Sequence, residues 1–80
     1  MSDHNVTMTL DCSGLMCPMP VVKTKMAMKK IEIGDILEMI STDPGSMPDM
    51  EAWARQTKHE LVEANEEGGD VYRFFIKKTH

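Results

Sequence analysis

Several things are scarce in this chain of 80 residues. No apolar run approaches the roughly 18 residues of a membrane-spanning helix. The first residues, Met1-Ser2-Asp3-His4-Asn5, hold no basic segment followed by an apolar one, so no secretory leader is expected. Basic residues are outnumbered, with 9 Lys and Arg against 13 Asp and Glu. An acidic chain is a poor ligand for phosphate backbones or anionic membranes, so neither nucleic acid nor a membrane surface is an expected partner. Two cysteines cannot build a disulfide scaffold. A cytoplasmic location is the default expectation, and there both cysteines would be thiols. A closed zinc site is not expected from two cysteines and scattered histidines. Composition is near the globular average, and the length suits one domain, with an ordered core of about 6–78.

The pattern along the chain predicts the order β-α-β-α-β-β. Val6, Met8 and Leu10 alternate with threonines, as in a strand with one buried face. Asp11-Cys12-Ser13-Gly14 reads as a turn, with Gly14 free to take positive φ. From Pro18 to about Glu32, Val21, Thr24, Met28 and Ile31 fall on one helical face. Gly34 is expected to end that helix. Ile36–Ile40 reads as a central strand and Asp43-Pro44-Gly45 as a turn. Ser46 is expected to cap a second helix, with Asp49 completing a capping box. Met50, Trp53, Ala54 and Thr57 form its buried stripe. Leu61–Glu66 and Val71–Lys78 read as a hairpin turning at Gly68-Gly69, with Tyr72, Phe74 and Ile76 on one face.

The two helices are expected to cross over between parallel neighbouring strands, which puts both on one side. The fold class is α+β, a two-layer α/β sandwich with a four-stranded mixed sheet. Arg73 and Lys77, opposite the buried row, point to a second sheet face half open to water.

Leu15-Met16-Cys17-Pro18-Met19-Pro20 carries the chemistry. A residue before proline is pushed out of helical geometry, and proline is favoured at the first helical position. Cys17 is thus placed at or just before the start of the first helix. The positive end of the helix, with the Met19 N–H aimed at the sulfur, lowers a thiol pKa. Pro20 leaves a second register open, in which the helix begins at Pro20 itself. Four lysines and no acid lie between Pro18 and Lys30, with Lys25 and Lys29 on one face. No histidine lies near Cys17 in sequence, so a Cys–His hydrolase has little support. A sulfur activated this way suits attack on another sulfur, by disulfide exchange or by accepting a sulfane sulfur.

Cys12 offers an alternative, a dithiol redox protein, although C-x4-C is not the usual spacing. A small filler at the strand end is its other reading. A non-catalytic regulatory binding module is the remaining alternative. Nine methionines are many. Met8, Met28, Met39 and Met50 read as core residues, while Met16, Met19 and Met47 are placed to form an adaptable docking rim. A soft-metal role for the methionines is the competing reading.

The segment Leu10-Asp11, then Gly14-Leu15-Met16-Cys17-Pro18-Met19-Pro20-Val21, resembles the signature of the TusA/SirA-type sulfur carrier (sulfurtransferase) family, whose core is C-P-x-P. The likeness continues through Gly34, Thr42–Gly45, Asp49, His59–Leu61 and Tyr72–Lys78. The resemblance implies a two-layer sandwich related to the C-terminal domain of translation initiation factor 3. It implies a carrier rather than a conventional turnover enzyme. Cys17 would hold a covalent persulfide and no separate cofactor. The donor would be a cysteine desulfurase or a rhodanese, and the acceptor a DsrE/TusD-like protein. The pathways served by such carriers are tRNA 2-thiolation, molybdenum-cofactor assembly and sulfur oxidation. Gly14, Pro18 and Pro20 would shape the loop. Met16, Met19, Lys25, Lys29 and Asp43 would meet partners. A monomer suffices for this role. The sequence departs from the family pattern at Met19, where an acidic residue is frequent, and at Gln56, where some members carry an aromatic.

Overall fold

The computed structural model describes residues 6–16 and 19–80. Strand β1 (Val6–Cys12) leads to helix α1 (Met19–Met28), strand β2 (Ile36–Ser41), helix α2 (Ser46–Thr57), and strands β3 (Glu60–Glu66) and β4 (Tyr72–Lys77). The four strands form one mixed sheet in the order β1-β2-β4-β3. Helix α1 packs over β1 and β2, and α2 over β3 and β4. The expected α+β two-layer sandwich is the fold observed. No helix among the described residues is long and apolar enough to cross a membrane.

Strand order corrects one expectation. β1 and β2 are parallel neighbours, but β2 and β3 are not, because β4 lies between them, antiparallel to both. Burial explains the choice. In β4, Phe74 and Ile76 are buried on the helix side, and Phe75 is buried on the other face. A strand apolar on both sides belongs in the middle of a sheet. β3 carries Glu60, Glu63 and Glu66, and belongs at an edge, where charge deters pairing with another chain.

Pairing register stacks the core in rows. Met8, Leu37, Ile76 and Leu61 align across the sheet, and so do Leu10, Met39, Phe74 and Ala64. Met28, Ile31, Met50, Trp53 and Ala54 close the core from the helices. On the other face Glu38 accepts from Thr9 (3.0 Å) and pairs with Arg73, which also holds Glu67 (3.0 Å). That face is therefore half open, as expected, with Phe75 as a buried exception.

Both helix ends differ from the sequence reading. α1 stops at Met28 rather than near Glu32. Lys29 and Lys30 donate their N–H to the carbonyls of Met26 and Ala27, three residues back, which tightens and ends the helix. Gly34, with φ of 94°, serves the following loop instead, and its N–H bonds the Lys78 carbonyl at 2.7 Å. Ser46 does not cap α2. It is the first helical residue, and its buried hydroxyl meets that of Ser41 at 2.6 Å. The cap position falls on Gly45, whose N–H donates to the Asp43 carboxylate at 3.1 Å.

Candidate functional site

In a parallel β-α-β unit, both helices start at the end of the sheet where the strands finish. Loops on that edge are where open α/β sheets bind ligands. The β1–α1 and β2–α2 loops meet there. Asp11 accepts the Ser13 N–H at 2.9 Å, which turns the chain; the Ser13 side chain first, and then this N–H, hold the carboxyl below its ordinary range. Gly14 takes the left-handed conformation expected of it, with φ of 81°. Its N–H donates to Thr42 Oγ1 at 2.8 Å, which ties the two loops together. Leu15 N–H closes a turn on the Cys12 carbonyl at 3.1 Å.

Cys17 and Pro18 lie outside the described residues, so the expected setting of the sulfur is bracketed by its neighbours. Met16 is 75% exposed, and Met19, the first residue of α1, is exposed as well. Pro20 is fully buried, and its carbonyl accepts the Thr24 hydroxyl at 2.8 Å. The Met19 N–H is not available to a sulfur as expected. It donates to the Met16 carbonyl at 2.8 Å, bridging the two residues between them. A helix starting at Met19 still directs its positive end toward the residues that precede it.

Lys23 and Lys25 are exposed on α1, and Lys29 and Lys30 are exposed in the turn that ends it. The structure adds a feature absent from the sequence reading. Val22 and Met26, the latter 59% exposed, continue the line of Met19 along the outer side of α1. Spaced at i, i+3 and i+7, they form an apolar stripe framed by lysines. The signal was present, since α1 has apolar residues on two opposite sides, and only the inward set was assigned. Met47 is partly buried and packs against the core. Met28, Met39 and Met50 are buried, and Met8 packs against them. The Asp43 carboxylate holds its own turn through Gly45. Thr42 was missed as a positioning residue, because only the fold brings it beside Gly14.

Cys12 is fully buried, and burial pushes its thiol up from the ordinary value. A thiol beyond the reach of solvent and harder to ionise is a poor resolving partner. It fills the end of β1 as one of the core residues. Among the described residues, no three His, Cys, Asp or Glu side chains converge as a metal site.

The family model of the sulfurtransferase TusA matches residues 8–78. The chain belongs to the TusA family. A relative in Halobacterium salinarum is 47% identical over 78 residues, spanning 98% of this chain and 96% of its own length. The sulfur carrier protein TusA of Allochromatium vinosum is 47% identical over 70 residues, spanning 88% of this chain and 91% of its own. A SirA-like protein from Desulfitobacterium hafniense has the same fold, with a TM-score of 0.79 at 23% identity. The superposition covers 91% of this chain and 99% of that one.

Proposed function

We propose that the protein carries sulfur as a persulfide on Cys17, taking it from a donor protein and giving it to an acceptor protein. The Cys17 thiolate attacks the terminal sulfur of a donor persulfide. One S–S bond forms on Cys17 as the donor's own S–S bond breaks, and the donor leaves as a thiolate. No oxidant is needed. Delivery repeats the exchange, with an acceptor cysteine as the attacking sulfur.

The observation that carries this reading is the surface following Cys17. Met19, Val22 and Met26 there are apolar, exposed and framed by lysines, and Met16, before Cys17, is exposed as well. Methionines adapt to more than one partner, which suits a carrier that must dock twice and leave twice. Lys25 and Lys29 steer acidic partner surfaces in this reading. Gly14, Pro18 and Pro20 fix the loop, and Asp43 presents an acidic edge beside it. A cysteine desulfurase or rhodanese supplies the sulfur, and a DsrE/TusD-like cysteine protein receives it. The dithiol alternative is disfavoured by the buried Cys12.

Incubation with a cysteine desulfurase, cysteine and pyridoxal phosphate tests the proposal by intact mass. The native chain is expected to gain one sulfur atom, Cys17→Ser none, and Cys12→Ala one. Alanine is the better control at the buried site, because serine there would bury an extra hydroxyl. Sulfur gained by Cys17→Ser, or none gained by the native chain, overturns the reading.

A further inference from the structure

Away from the Cys17 loop, the last turns of both helices and the end of the chain enclose a pocket of about 500 Å³. This lies within the roughly 300–1,000 Å³ usual for small-molecule sites. Lys25, Lys29, Trp53, His59, Lys78 and His80 line it, and no acidic side chain does. Three lysines and two histidines thus line one space in a protein with a net charge of −4. The helix ends contribute roughly half a negative charge each, which three full positive charges outweigh.

Two of these residues are held in place. Lys78 Nζ donates to the Ile31 carbonyl at 2.8 Å, which anchors its side chain. The Thr79 N–H donates to His59 Nδ1 at 3.2 Å. The proton of the neutral ring is therefore on Nε2, a donor left for another acceptor. His59 stacks on His80 with centroids 4.5 Å apart and meets Trp53 at 5.7 Å. Burial, then His80, then Lys78 hold His59 below its ordinary pKa, as a positive surrounding does. Trp53 is only 8% exposed, and its indole N–H has no hydrogen-bond partner among the described residues. A buried donor without a partner calls for an explanation.

We infer that this pocket binds a small, multiply charged phosphate anion of the pyrophosphate class. The gathering of three lysines and two histidines, with no acidic residue, around one concave space is what selects it. A compact polyanion can engage all of them at once, whereas an acidic protein segment presents single charges spread along a chain. The inference does not depend on the sulfur-carrier reading, since the pocket contains no cysteine.

Titration with sodium pyrophosphate tests it at pH 7 and low salt. Trp53 is the chain's one tryptophan, so its fluorescence reports the pocket directly. Expected are a saturable change, an upward shift of the His59 pKa by NMR, and affinity weakened at least fivefold in both Lys78→Gln and His59→Gln. Each substitution removes one hydrogen-bond donor to the anion. Cys17→Ser should bind as the native chain does. The inference fails if sodium chloride at equal ionic strength gives the same change. It fails if nothing saturates, or if both folded variants bind undiminished. A hexaglutamate peptide that binds where pyrophosphate does not would assign the pocket to a protein partner and overturn it.

Discussion

Replacing Ser46 with alanine probes the joint beneath the carrier loop. Ser41 ends β2 and Ser46 begins α2, and both are buried, at 0% and 1% exposure. Their hydroxyls meet at 2.6 Å, and Ser41 Oγ also accepts the Asp43 N–H at 3.1 Å. Between them, Thr42 holds Gly14. Removing one hydroxyl leaves the other buried and short of a partner, at a cost of about 2 kcal/mol. Alanine at position 46 recovers about 0.5 kcal/mol in helix propensity, leaving a net loss of about 1.5 kcal/mol. For a domain of this size that lowers Tm by about 6–12 °C. Ser41→Ala should cost about 2 kcal/mol, because Asp43 loses its acceptor as well. The double variant should fall short of the sum by at least about 1 kcal/mol, since no hydroxyl is then left stranded. Urea unfolding followed by circular dichroism measures all three, with unchanged m-values as the check on two-state behaviour. Additivity within about 0.5 kcal/mol would refute the shared hydrogen bond.

Two further outcomes follow from named groups. Gly14→Ala should destabilise by about 1 kcal/mol in urea unfolding, since a Cβ there has open space and the cost lies in the left-handed backbone; Gly14→Asn should cost less. His59 sits below its ordinary pKa in the folded state, so the unfolded chain binds the extra proton first as pH falls. Its contribution is therefore complete above the ordinary histidine value and declines as pH drops below it. Melting scans between pH 7.5 and pH 5 should show a loss that His59→Gln reduces.

What the sequence revealed divides along a physical line. Local patterning sufficed for all six elements, because each carries a row or run of apolar residues and an identifiable turn beside it. The left-handed Gly14 was legible for the same reason. What periodicity cannot carry is pairing between distant segments. The position of β4 between β2 and β3 depends on Phe75 being buried on the face opposite Phe74, and a strand apolar on both sides can be distinguished only by comparison with its acidic neighbour β3. The Gly14–Thr42 bond spans 28 positions and exists only because two parallel strands finish together. Ser46 fits a capping pattern, yet burial against Ser41 turned its hydroxyl inward. The α1 helix shows the same limit in its function. Val21, Thr24 and Met28 define the core side so well that Val22 and Met26 pass unnoticed. Their exposure becomes visible only when the sheet occupies the first side. A helix with two apolar sides has one partner in its own fold and one side left for another molecule. The ten residues of α1 thus serve the core with one side and leave an apolar row on the surface with the other.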